Sequence, residues 1–256
     1  IDRRLQPARI KEKKRGLSST KPGTLLKRQI PVRIYTPWDE QQPGFLEIDL
    51  VAHCGETTAG NYLNTLTATD LATGWTECLA LPNKTQTATF LAIKNLQERL
   101  PFPLLGLDSD NGSEFINDML YRFCLDQQIT FTRCRPYRKN DQAHVEQKNW
   151  SVVRHTVGYD RFETQAELDL LSSIYADLRL FVNFFQPVEK LISSTTINGV
   201  KHKQYDQAKT PYQRVLEDPR VDEKYKTQLR ILYNSLNPVT IREALIEKTA
   251  RMLKIA

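Results

Sequence analysis

Period-two alternation opens the readable part of the chain. Across Phe45–His53, Phe45, Glu47, Asp49 and Val51 fall on one face and Leu46, Ile48, Leu50 and Ala52 on the other, which is the signature of a strand. Glu47 and Asp49 therefore point the same way. Tyr62–Asp70 and Gly74–Leu81, rich in Thr, Leu and aromatic residues, predict two more strands joined by a turn at Ala72-Thr73-Gly74. Helical spacing then takes over: Ala88, Leu91, Ala92, Leu96 and Leu100 mark a helix over Lys84–Leu100. Pro101 and Pro103 end it and lead into a short apolar strand, Leu104–Asp108. Ser113–Gln127 reads as a helix with Phe115, Met119, Phe123 and Cys124 inward, and Ile129–Cys134 as a strand. A helix follows over Gln142–Val157, with Val145, Val152 and Val153 as its apolar stripe, and a long one over Glu163–Phe185. The alternation of strands and helices predicts an α/β domain built on one sheet.

The flanks read differently. Asp2–Arg15 has helical composition and ends at Gly16-Leu17-Ser18-Ser19, while Pro22, Pro31, Pro37 and Pro43 predict an extended connector rather than a helix. Beyond Pro187 the pattern weakens to a turn at Ile197-Asn198-Gly199, a basic stretch Lys201–Lys203, a helix start at Thr210-Pro211 and helices over Asp222–Leu236 and Thr240–Leu253. The expected division is a basic arm or linker over 1–43, a core over 44–187 and a mostly helical region over 188–256.

Charge changes the picture, because the net +6 is unevenly placed. Residues 1–43 carry 11 Lys and Arg against 4 acids, residues 44–160 carry 10 against 14, and the remainder 15 against 12. Basic flanks around an acidic centre suit a polyanionic partner, with the flanks neutralising phosphates. The same pattern also describes a solvated basic surface. Cys54, Cys78, Cys124 and Cys134 show no C-x-x-C spacing and read as reduced, mostly core thiols. No apolar run approaches a membrane span and no signal peptide opens the chain, so a cytoplasmic protein is expected. The chain starts at Ile1, and a missing upstream part is expected. No G-x-x-x-x-G-K-[ST] loop is present, so ATP is not implied.

The candidate chemistry is carboxylate chemistry. Leu104–Phe115 reads as a strand running into an acidic turn and the start of a helix, which puts Asp110 at a strand end. Asp49 lies on the first strand, and Glu146 follows Asp110 with 35 residues between them. Three acids on three elements can converge. Glu47, Asp108 and Glu114 compete with them by position, whereas Asp70 and Glu77 read as surface acids around the strand turn. His53 and His144 lie nearby without zinc spacing and read as a polar strand end and a solvent-facing residue.

Taken with Gly44–Asp49 (GFLEID), Leu66–Glu77 (LTATDLATGWTE), Asp108–Phe115 (DSDNGSEF) and Arg135–Trp150 (RPYRKNDQAHVEQKNW), these acids resemble the D,D(35)E triad of DDE transposases. The chain is most similar in type to transposases of bacterial insertion sequences with an integrase-type, retroviral-integrase-like catalytic core. That resemblance implies a ribonuclease-H-like fold: a mixed five-stranded sheet with flanking helices, a basic N-terminal arm and a mostly helical C-terminal region. It implies a helix-turn-helix region ahead of residue 1, DNA as partner, oligomers on DNA, no membrane, and a bacterial cytoplasmic, nucleoid-associated location.

By the same resemblance Asp49, Asp110 and Glu146 are both the catalytic residues and the ligands of two Mg²⁺ or Mn²⁺ ions. Asp49 would bridge both ions, with Asp110 on one and Glu146 on the other. Two such ions roughly 4 Å apart activate the nucleophile and stabilise the leaving oxygen in phosphodiester chemistry. Hard oxygen ligands suit them. Arg135, Arg138, Lys139 and Lys148 would bind phosphates, and Tyr137 would stack on a base or sugar. The alternatives are a nuclease of the same fold that transfers no strands, and a non-catalytic DNA-binding remnant of a transposase.

Overall fold

The computed structural model describes residues 24–33, 39–135, 139–197 and 200–255. A five-stranded sheet organises them, built from β1 (Phe45–Ala52), β2 (Asn64–Asp70), β3 (Thr76–Leu81), β4 (Gly106–Ser109) and β5 (Thr130–Arg133). The spatial order is β3-β2-β1-β4-β5. β1, β2 and β3 pair antiparallel, while β4 and β5 join parallel to β1. This is the mixed sheet expected of a ribonuclease-H-like core.

Side-chain alternation divides the core between the two faces of the sheet. Leu46 and Ile48 of β1, Leu66 and Ala68 of β2 and Leu107 of β4 pack with Ile93 and Leu96 of α2 (Gln86–Arg99) and Leu120 of α3 (Asp118–Asp126). Val51, on the opposite face of β1, packs with Val152, Val153 and Val157 and with Leu171, Ile174 and Tyr175 of α5 (Gln165–Phe185). Covered on both sides, β2 is buried at every residue. Glu47 and Asp49 are in phase with Val51, so they face this second layer.

Local signals fix the helix ends. Thr85 caps α2 through a bond from the Ala88 amide, and Thr164 and Glu167 form a reciprocal capping box at the start of α5. α3 begins later than Ser113: the Asn117 side chain accepts from the Leu120 amide at 2.9 Å and sets the start there. The helix bearing Glu146, α4, is composite. An α-helical turn, Ala143–Lys148, passes into a π-helical segment, Asn149–Arg154, and closes with His155–Val157.

Three expectations change. Thr24–Gln29 is a helix, α1, not extended connector: no proline falls between Pro22 and Pro31, and Ile30, fully buried, docks it on the core. Asp70 and Glu77 are each only 1% exposed, not surface acids. Asp70 folds the turn by accepting from the Gly44 amide at 2.8 Å and from both the Thr73 amide and hydroxyl at 2.7 Å. Glu77 accepts from Trp75 Nε1 at 2.8 Å and from Arg179 Nε of α5 at 2.5 Å, tying β3 to that helix. Beyond the core, β6 (Leu191–Ile197) and β7 (Val200–Tyr205) form a separate antiparallel hairpin where the sequence suggested only a turn.

The C-terminal region is otherwise helical, as expected: α6 (Pro211–Glu217), α7 (Glu223–Ser235) and α8 (Pro238–Ile255). Thr210 caps α6 with Pro211 at its first position. Leu245 and Met252 of α8 join the α5 core layer. The helix predicted over Asp2–Arg15 lies outside the described residues. Among the described residues, no helix is long and apolar enough to cross a membrane.

Candidate active site

Adjacent parallel strands bring the first two acids together. β1 and β4 pair with Glu47 opposite Asp108, so Asp49 and Asp110, each two residues further, lie toward the same end of the sheet. Asp49 Oδ1 accepts from the Leu50 amide at 2.8 Å and Oδ2 from Asn149 Nδ2 at 2.7 Å. Burial pushes the Asp49 carboxyl up to about 6, and repulsion from Asp110 and Glu146 adds to that, against the lowering effect of its two hydrogen bonds. Asp49 thus feels both other acids. Asp110 Oδ1 accepts from the Gly112 amide at 2.9 Å. Asn111 holds the turn to β5, donating to the Cys134 carbonyl at 2.9 Å and accepting from Arg133 Nη1 at 3.1 Å.

Glu146 comes from α4, and the placement of that helix depends on the acid before Asp49. Gln142 offers no side-chain cap. Instead Glu47 Oε2 accepts from the His144 and Val145 amides, both at 3.0 Å, so a carboxylate from β1 occupies the positive helix N-terminus. Its other oxygen accepts from Arg33 Nη1 at 2.7 Å. Gln142 Nε2 adds bonds to the Ile48 and Asp108 carbonyls at 3.4 and 3.2 Å. The π-helical segment begins at Asn149, the residue that reaches Asp49.

Below the triad, Glu47 and Asp108 form a buried layer, 1% and 0% exposed. Asp108 accepts from Thr132 Oγ1 at 2.6 Å and lies 3.7 Å from Arg33 Nη1. Burial nevertheless pushes its carboxyl up to about 6. Arg33 also pairs with Glu40.

Comparison with known proteins fits this geometry. Residues 39–139, which carry all five strands, match the integrase core domain family model. This segment is similar to integrase core domains. The matched span holds Asp49 and Asp110 and ends before Glu146. A curated relative, the uncharacterised protein y4rM of Sinorhizobium fredii (strain NBRC 101917 / NGR234), is 37% identical over 219 residues. The match takes in 84% of this chain, and the chain spans 61% of that relative's length. Among solved structures, the catalytic core domain of BIV integrase is similar at a TM-score of 0.46 and 19% identity, over 74% of this chain and 98% of that one. The HTLV-2 integrase catalytic core domain in complex with magnesium gives a TM-score of 0.43 and 16% identity, over 57% and 90%.

Carboxylate oxygens are the donors that a hard divalent cation takes, and Asp49 feels the charge of both Asp110 and Glu146. As placed, no group of three or more His, Cys, Asp or Glu among the described residues closes to metal-holding distance. Asn149 hydrogen-bonds one Asp49 oxygen, and Glu146 is turned to solvent.

The expected DNA contacts are placed unequally. Arg135 is gripped by Asp141 through Nε at 2.9 Å and Nη2 at 2.7 Å. Tyr137, Arg138 and the Lys139 side chain lie outside the described residues. Lys148 is buried. His53 is also buried, with Nε2 2.7 Å from Thr65 Oγ1, and burial assisted by Arg154 pulls it down to about 3. His144 is exposed, as expected. The roles of Glu47 as a cap and of Asn149 as a partner of Asp49 were missed. Their signals were phase with Asp49 along the strand and a three-residue step from Glu146 along the helix.

Proposed function

We propose that the chain is the catalytic part of a DDE transposase of bacterial insertion sequences, acting on DNA at Asp49, Asp110 and Glu146. The supporting observation is that Asp49 is repelled by both other acids although the three come from β1, the turn after β4 and α4. Asp49 would hold two Mg²⁺ or Mn²⁺ ions jointly, with Asp110 on one and Glu146 on the other. Bound there, the ions supply Lewis-acid activation of the attacking oxygen and charge neutralisation at the leaving oxygen.

The chain's own residues orient this site. Glu47 fixes the helix of Glu146, Asn149 holds the Asp49 carboxylate and Asn111 sets the turn of Asp110. Two reactions use it: hydrolytic cleavage at the element end, then attack of the freed 3′-hydroxyl on a target phosphodiester. Residues 44–187 serve as the catalytic unit, with 1–43 as a basic arm and 188–256 as an appended region. Joining needs two DNA ends held together, so a homo-oligomer assembles on DNA in the bacterial nucleoid.

A strand-transfer assay with labelled element-end DNA and Mn²⁺, beside an Asp49→Ala control, tests the proposal. Joined products absent from the control are expected. Cleavage without joining would make the protein a nuclease, and binding without either reaction would make it a non-catalytic remnant.

A further inference from the structure

On the side of α4 turned from Glu146, a cavity of about 530 Å³ opens between His144 and Lys148 of the helix, the β2–β3 turn and the β6–β7 hairpin. Lys148 is only 8% exposed, yet no described residue hydrogen-bonds or pairs with its ammonium. The stem of the side chain is buried, while its ammonium opens on the cavity with no counter-charge from the described residues beside it. Burial pulls its pKa down from the ordinary lysine value.

None of the other charges lining the cavity pairs with this one, the carboxylate of Glu189 at its exposed rim included. Arg214 is held by Asp206 at 2.6 Å, and Lys190 donates to the Leu71 and Ala72 carbonyls at 2.7 and 2.8 Å. Asp70 is used by the Gly44 and Thr73 donors, and Glu40 pairs with Arg33. Opposite Lys148, β7 contributes Lys203 to the lining, exposed and without a partner among the described residues. Lys201 lies two positions along the same strand, and the two lysines pair across the hairpin with Thr196 and Ser194. Alternate positions share a face, so a line of lysines and hydroxyls leads out of the cavity. A lone small anion needs only the cavity, whereas a line of this kind matches a chain of phosphates.

We propose that this cavity is a phosphate-binding subsite in which Lys148, with Lys203 from the hairpin, takes a phosphodiester of the DNA strand. The subsite rests on the function proposed above and lies across α4 from the carboxylates. It makes the hairpin a DNA-binding ribbon and gives the buried lysine its missing counter-charge.

Fluorescence anisotropy of a labelled DNA duplex, titrated with the full chain across a range of KCl, tests it in wild type, Lys148→Gln and Lys203→Gln. Lys148→Gln is expected to weaken binding by up to about tenfold and to lower the salt slope by about one, the mark of one lost phosphate contact. Lys203→Gln is expected to do the same to a smaller extent. Thermal unfolding keeps the result readable: Lys148→Gln should melt at or above the wild-type temperature, because it removes a buried charge. Equal affinity and slope in wild type and Lys148→Gln would overturn the subsite alone. No duplex binding by wild type would bring down the underlying function, and the subsite with it. Stabilisation by inorganic phosphate that depends on Lys148, with duplex affinity unchanged, would assign the cavity to a free oxyanion and overturn the DNA assignment.

Discussion

Two pairs of acids stand two residues apart on the same neighbouring segments, and their surroundings give them opposite work. Glu47 and Asp108 are directly paired across β1 and β4 and sealed from water. Arg33 and two helix amides satisfy Glu47, and Thr132 bonds one Asp108 oxygen while the other faces Arg33 at 3.7 Å. Asp49 and Asp110 stand where the sheet opens, half-buried, and Asp49 is repelled rather than paired. Residue type and strand phase are nearly the same in both layers. What separates a structural acid from a candidate catalytic one is therefore closure from water beside the cationic Arg33, with the lower layer holding the helix that carries Glu146.

The sharpest way to break this contrast is to neutralise one acid in each layer. Asp110→Asn is expected to lower Mn²⁺-dependent DNA processing by at least about a thousandfold with no loss of melting temperature, because it removes repulsion and keeps the turn acceptor. Glu47→Ala should act on stability first. It takes the buried carboxylate from Arg33 and leaves two helix amides unsatisfied in a buried place, costing about 3–5 kcal/mol, which a thermal melt reads as a fall on the order of 10 °C. Asn149→Ala sits between the layers in effect. Losing the hydrogen bond that orients Asp49 should weaken Mn²⁺ affinity by about tenfold or more in a calorimetric titration, with little change in melting.

The smallest effect is a pH dependence in the lower layer. The folded Asp108 carboxyl titrates at about 6, above its unfolded value of 3.8. Its contribution is therefore fully present below about 4 and is lost as pH rises through about 6. Asp108→Asn should gain stability relative to wild type over that interval in melts taken at successive pH values. A constant difference would remove burial as the cause.

Much of this was legible in the chain. Alternation over residues 45–53 and helical spacing over residues 84–100 located β1 and α2, because each has one apolar face and one partner layer. The spacing of Asp49, Asp110 and Glu146 singled out the three acids now proposed as the site. Glu47's work was hidden, since the amides it caps arrive from 97 and 98 residues away. Asp70 and Glu77 look like turn acids because nothing local reveals Arg179 or the Gly44 amide arriving to bury them. The hairpin escaped because LISSTTI and VKHKQY pair only with each other and carry little apolar alternation. The helix Thr24–Gln29 was obscured by the prolines that bracket it.

Calorimetric titration of Mn²⁺ into wild type, Asp110→Asn and Asp108→Asn tests the assignment most directly. The two variants differ by a single carboxylate two residues apart. Binding by wild type and Asp108→Asn, with loss in Asp110→Asn, is the expected result. Binding that survives in Asp110→Asn and disappears in Asp108→Asn would move the metal site into the buried layer and contradict the division between the two pairs of acids.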